Sequence, residues 1–142
     1  MSAAQLEKSA RRNSWIAQII VVAILAMAIP GKFTGDAAAV AIFEQLGVEP
    51  FGRVAAGIFE AIALVLLLVP ATVVWGALLA LGLMVGAVLS HLTVLGIAVE
   101  GDPSLFAMAV VAILGSVAVL ALRRQQIPLL PQRVTPPAVE SN

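Results

Sequence analysis

Four long apolar stretches, separated by short polar or proline-containing segments, dominate the pattern of this chain. A helix rises about 1.5 Å per residue, so an apolar run of roughly 18 or more residues is long enough to cross a bilayer. The pattern therefore predicts an all-α integral membrane protein, a four-helix bundle. The predicted spans cover about residues 15–30, 51–69, 71–95 and 103–122.

The segment 33–50, between the first two spans, is too short and too polar to be a fifth span. Asp36 is placed to N-cap a helix, because a carboxylate can accept hydrogen bonds from the free backbone N–H groups of a first turn. Val40, Phe43 and Gly47 then follow at helical spacing. Gly47 is also a suitable C-terminal stop. We expect a short amphipathic helix that lies on the membrane surface.

Prolines and glycines predict where the spans begin and end. Pro30-Gly31 is expected to end the first span, and Pro70 to mark a tight turn that makes the second and third spans an antiparallel hairpin. Asp102 and Pro103 are suited to the N-cap and first position of the fourth span. The small residues near Ala26 leave open a cleaved signal peptide, but three further spans favour a retained first helix.

The charged residues support a membrane location and predict an orientation. The chain is 61% hydrophobic and 11% charged, against about 25% charged residues in a soluble domain. Lys and Arg concentrate in the N-terminal segment 1–14 and in the Pro-rich tail 123–142. Such residues favour the cytoplasmic side, so we expect both termini in the cytoplasm and the bundle in the cytoplasmic (inner) membrane. The tail is expected to be extended.

The composition also narrows the chemistry. The chain has no cysteine and one histidine, which excludes thiol catalysis and disulfides and gives no basis for a metal site. A formal net charge of zero gives no signal for nucleic-acid binding.

Small residues predict helix-packing surfaces, because lipid gives apolar helices little other reason to associate. Gly82, Gly86 and Ser90 recur at intervals of four on the third span. This ridge is suited to packing within one bundle or between two copies, so the oligomeric state stays open. A second set lies on the outer half of the second span: Gly52, Ala56 and Gly57.

Two ionisable residues, Glu60 and His91, lie inside the apolar spans. At 1.5 Å per residue, Glu60 lies roughly 13 Å from the outer start of its helix and His91 roughly 6–9 Å from the outer end of its own. These depths allow the two groups to meet. A charged carboxylate at such a depth is costly, so Glu60 should face the interior and be neutral or paired.

Three interpretations of this polar pair remain open. The two residues serve as a hydrogen-bonded clamp for the hairpin, as a small-molecule or proton-transfer site, or as a contact for a partner protein. Arg53 lies two turns above Glu60, with a side chain long enough to reach outward. The candidate ligand-binding residues are Lys32, Asp36, Arg53, Glu60 and His91.

Short motifs in this order and spacing resemble the DoxX family over about residues 15–122. The family consists of small four-helix membrane proteins, and the resemblance implies a redox-associated role, quinone, quinol or other lipid-like ligands, and a membrane oxidoreductase or assembly partner. The cysteines of its thiol-active members are missing here. The motifs are Lys32-Phe33-x-Gly35, Leu46-Gly47, Arg53-x-x-x-Gly57-x-x-Glu60, Gly86-Ala87 and His91-Leu92.

Two functional hypotheses follow. The first is a non-catalytic accessory or assembly component of a membrane redox system, since no recognisable catalytic set is present. The alternative is a quinone- or lipid-binding redox subunit that uses Glu60 and His91 in an outward-facing pocket. A transporter is less favoured, because four helices leave little room for alternating access.

Overall fold

The computed structural model describes residues 2–126, and these are almost entirely helical. Each of the four long helices overlaps one predicted span, which confirms the all-α four-helix bundle. A π-helical turn (His91–Leu95) extends the fourth helix, and a 3-10 turn (Arg124–Gln126) follows the fifth. The rest of the predicted tail lies outside the described residues. The helices are α1 (Ala3–Thr34), α2 (Ala37–Gln45), α3 (Phe51–Leu68), α4 (Val73–Ser90) and α5 (Ser104–Leu122).

The long helices form a square. α1 and α4 each pack against both α3 and α5, while α2 lies across one end and contacts α1, α3 and the π turn. At the opposite end, the Arg123 guanidinium donates to the Ser14 hydroxyl at 2.9 Å and joins the end of α5 to the start of the α1 span. We call these the α2 end and the termini end. Fully buried core residues include Val21, Leu67 and Ala77.

The outside of the bundle is apolar, as a lipid-facing surface must be. Large hydrophobic side chains stay exposed on all four long helices, for example Ile19, Phe51 and Leu114. Water would oppose so much exposed apolar surface, whereas lipid chains accept it. Together with helix length and hydropathy, this makes the chain a multi-pass membrane protein.

α1 is longer than the predicted span at both ends. Its 32 residues extend for about 48 Å, more than the roughly 30 Å of a hydrocarbon core. A capping box between Ser2 and Gln5 begins it, and Gly35, with φ 71°, ends it. Pro30 was expected to stop this helix but lies inside it. A proline removes only one backbone hydrogen bond, and membrane helices tolerate that loss.

The helix predicted between the first two spans is present as α2. The Asp36 carboxylate accepts a hydrogen bond from the Ala38 N–H at 3.2 Å. At the other end Gly47 adopts φ 72°, and the Val48 N–H donates to the Phe43 carbonyl at 3.0 Å. This left-handed glycine with its backward hydrogen bonds is a Schellman motif. Local sequence therefore determines both ends of α2.

The predicted small-residue ridge of the third span, at Gly82 and Gly86, is not a seam within the bundle. A Cβ added at Gly82 or Gly86 would meet no atom within 4 Å, so both positions face open space. Close approaches occur elsewhere. A Cβ at Gly76 would lie 2.6 Å from the α3 backbone, one at Gly115 2.7 Å from an α1 side chain, and one at Gly57 3.2 Å from another α1 side chain. Regular spacing alone does not tell which face of a helix meets a neighbour.

The start of α5 is close to the prediction. The helix begins at Ser104, one residue after Pro103. The Asp102 carboxylate accepts from the Ser104 N–H at 2.9 Å and from the Ser104 hydroxyl at 2.8 Å. The backbone hydrogen bond, with the hydroxyl adding to it, holds the pKa of Asp102 below its usual value.

Candidate functional site

A cavity of about 480 Å³ lies under α2, between the four long helices. All five helices contribute to its walls, which are mainly aliphatic. An apolar cavity with a few convergent polar groups is the usual form of a small-molecule site. The polar side chains in its lining are Lys32, Asp36, Glu60, Ser90 and His91.

Glu60 is paired, but with a partner from α1. Its Oε2 lies 2.9 Å from Lys32 Nζ, and the two side chains are only 7% and 15% exposed. This contact agrees with the prediction that Glu60 faces the interior and is neutral or paired.

Gly57 explains why Lys32 reaches Glu60. It lies almost one turn before Glu60 on α3, and an added Cβ there would lie 3.2 Å from Lys32 Cβ and 3.3 Å from the Phe33 ring. The missing side chain lets α1 approach α3 closely at this level. Lys32 Nζ also lies 3.4 Å from the Ala28 carbonyl of its own helix, which directs the ammonium group along α1.

Arg53 does not line the cavity, and its side chain extends instead toward Glu49, just before the start of α3. The residue is 9% exposed. Its Nε donates to both Glu49 carboxylate oxygens, at 2.9 and 3.0 Å, and an Nη atom lies 2.8 Å from Oε1. The other Nη donates to the Lys32 carbonyl. Arg53 thus holds the end of α1, and with it Lys32, against α3.

His91 begins the π turn and is held from two sides. Its Nδ1 lies 2.8 Å from the Gly96 carbonyl, which can only accept, so Nδ1 carries a proton. The edge of the ring packs on Phe106, with centroids 5.7 Å apart and planes at 76°. In the neutral imidazole Nε2 is then an acceptor. Short π segments are frequent at functional sites.

Glu60 and His91 face one cavity without bonding to each other. The ion pair joins Glu60 to α1, and the Nδ1 contact joins His91 to the loop after α4. Among the described residues the direct hydrogen bond that would clamp the α3–α4 hairpin is not formed. The positions of Glu60 and His91 along their helices predicted that both lie in one region, but not that Glu60 pairs with α1.

α2 covers the cavity, and one face of this helix forms part of the cavity wall. Its lining residues include Ala39, Ile42, Phe43 and Leu46, so the inward face differs from the predicted 40–43–47 face. Asp36, at the start of the helix, also lines the cavity and is exposed. The Gln45 side-chain amide lies 3.4 Å from the Val94 carbonyl in the π turn and connects the roof to the end of α4.

A second buried polar set lies at the termini end and was not predicted. Gln18 donates to the Ser14 hydroxyl at 2.7 Å, the same oxygen that accepts from Arg123. Burial lowers the pKa of Arg123, and the nearby positive charge of Arg11 adds to this. The i, i+4 spacing of Ser14 and Gln18 could have indicated a common buried face. Ser116 is also fully buried here.

Comparison with protein-family models, with curated proteins and with solved structures gives no match for this chain.

Proposed function

We propose that this membrane protein binds a lipid-like molecule with a hydrogen-bonding head group, a quinone or quinol being the leading candidate, as a non-catalytic component of a membrane redox system. The observation that carries this proposal is the cavity under α2, in which Glu60, Lys32 and His91 converge within an otherwise apolar wall. The resemblance to the DoxX family is part of the proposal and supplies its redox context.

The hydrogen-bonding groups suit a quinol head. The Glu60 carboxylate and His91 Nε2 are both acceptors, and a quinol carries two hydroxyl donors. Lys32 supplies a donor that suits the carbonyl of the oxidised form. A molecule with donors and acceptors at the two ends of one flat ring would use all three groups, while its substituents contact the aliphatic walls.

The size of the cavity also supports this ligand class. About 480 Å³ falls within the roughly 300–1,000 Å³ of typical small-molecule sites. The described residues bring no nucleophile with a paired base into the cavity, so binding is better supported than turnover. Turnover of a quinol by the purified chain alone would contradict the non-catalytic part of the proposal.

The test is binding of a benzoquinol to purified protein in lipid nanodiscs. We expect Glu60→Gln and His91→Ala each to weaken binding about tenfold or more, since a lost hydrogen bond to a charged or buried group is worth about 1.5–3 kcal/mol. Glu44→Gln is the matched control, because Glu44 is exposed on α2 and does not line the cavity. Unchanged quinol affinity in both cavity variants would contradict the proposal.

A second candidate is an accessory or assembly role without a ligand. It is favoured by the connection of α1 to α3 through two contacts, the Lys32–Glu60 ion pair and the hydrogen bond from Arg53 to the Lys32 carbonyl. In this case the polar residues stabilise the fold and present a surface to a partner protein. Loss of thermal stability in Glu60→Gln, with no quinol bound by the wild type, would favour this role.

A further inference from the structure

A second space adjoins the cavity on its membrane side. It is a groove of about 390 Å³ on the outer surface of α3 and α4. Two residues, Leu83 and Gly86, line both spaces. The two are therefore neighbours along one face of α4, and the groove continues the cavity toward the middle of the span.

The glycines of α4 keep this groove open. Gly82 and Gly86 are exposed, and an added Cβ would meet no atom within 4 Å at either position. The other groove residues are apolar, and Phe59 and Leu78 remain 49% and 44% exposed. The groove lies at a depth where hydrocarbon chains surround the bundle, since Gly82 is central in the Val73–Leu95 span.

The cavity supplies the polar end of the site. Glu60, Lys32 and His91 line it, and the Glu60 carboxylate is paired with the Lys32 ammonium at 2.9 Å. Together these groups offer acceptors and a donor to the polar head of a ligand. The polar end of a ligand at Glu60 and an open apolar groove next to it together specify a molecule with a compact head and a long apolar tail.

We infer that the ligand enters from the bilayer and leaves its tail in the groove along Gly82 and Gly86, with its head in the cavity. The inference rests on the proposed function and adds to it the ligand class, a quinol with an isoprenoid tail, and the route of entry. Gly82 and Gly86 are positioning residues for the tail, which explains why the small-residue ridge faces no helix.

The experiment compares two probes in nanodiscs, a tailless benzoquinol and the same head with an isoprenoid tail. Gly82 lines the groove but not the cavity. We expect Gly82→Leu to weaken binding of the tailed probe about tenfold, the cost of removing about two methylene groups of the tail from the groove. Binding of the tailless probe should not change. Ala107→Leu is the control, on an exposed position of α5 outside both spaces.

The outcomes separate the inference from the function on which it rests. Equal affinity of the tailed probe for wild type and Gly82→Leu would overturn the groove while leaving the head site intact. An equal loss for both probes would also overturn it, because the tail would not be the cause. If neither probe binds the wild type, the proposed function fails and the inference fails with it.

Discussion

The two ends of the bundle both bury polar side chains, but the cavity under α2 lies at only one of them. At the α2 end, Glu60, Lys32 and His91 line a cavity of about 480 Å³. At the termini end, Gln18 and Arg123 bond to a single hydroxyl, and neither lines the cavity or the groove. Buried polarity by itself therefore does not identify a site, since well-packed polar groups also stabilise helix contacts.

The two ends also differ in the partners of their buried charged groups. The α2 end has two oppositely charged groups in contact, Lys32 and Glu60. At the termini end Arg123 contacts a neutral hydroxyl. Removing one member of a buried ion pair leaves an uncompensated charge, whereas removing a cation from a hydroxyl leaves a neutral group. The comparison thus predicts unequal costs for similar substitutions.

The largest effect is expected for Lys32→Met, which keeps the aliphatic stem but removes the partner of Glu60. We expect the free energy of unfolding to fall by about 3–5 kcal/mol, the usual cost of leaving one charge of a buried pair without its partner. Denaturant unfolding of the detergent-solubilised protein measures this. The double variant with Glu60→Gln should recover most of the loss, because no unpaired charge remains. A Lys32→Met variant as stable as wild type would show that the ion pair contributes nothing.

A smaller effect is expected for Arg123→Met at the termini end. The Ser14 hydroxyl keeps its hydrogen bond from Gln18, so the loss should be about 1.5–3 kcal/mol, the worth of one hydrogen bond to a charged group. Quinol binding should not change, because Arg123 is remote from the cavity lining. A loss as large as that of Lys32→Met would remove the distinction between the two ends.

The smallest effect is expected in the loop before α5. Because the folded pKa of Asp102 is lowered, its stabilisation is present above the unfolded pKa and is lost as the pH falls through the folded pKa. Asp102→Asn should lower the unfolding temperature slightly at neutral pH and not at all in acid. Thermal unfolding across this range, with Glu100→Gln in the same loop as control, measures it. A difference that grows as the pH falls would contradict the assigned cause.

The sequence was sufficient for most of the fold. Apolar runs longer than a bilayer crossing predicted four spans, and the strong local signals at Asp36 and Gly47 predicted both ends of α2. Pro30 was misjudged because a proline ends a helix only where no compensation is available, and the lipid environment favours continuation. The ridge at Gly82 packs against no helix of the bundle, since regular spacing predicts a helix face but not what that face meets.

The site was predictable only in part. Burial cost identified Glu60 and His91 as polar residues that must face the interior. The partner of Glu60 depends on how α1 approaches α3 at Gly57. The sequence predicted a packing surface at Gly57 but not which helix packs there. Arg53 was assigned to the site from its helical register, yet its guanidinium bonds to Glu49 and to the end of α1 instead.

The central claim is that the space under α2 holds a ligand, and native mass spectrometry tests it most directly. The protein would be extracted gently from its own membrane, and quinones in the extract would be identified in parallel. We predict a quinone or quinol bound in stoichiometric amount to the wild type and to Glu44→Gln, and lost from Glu60→Gln. A wild-type protein that carries no small molecule but co-purifies with a membrane protein would contradict the claim and favour an accessory role for these polar residues.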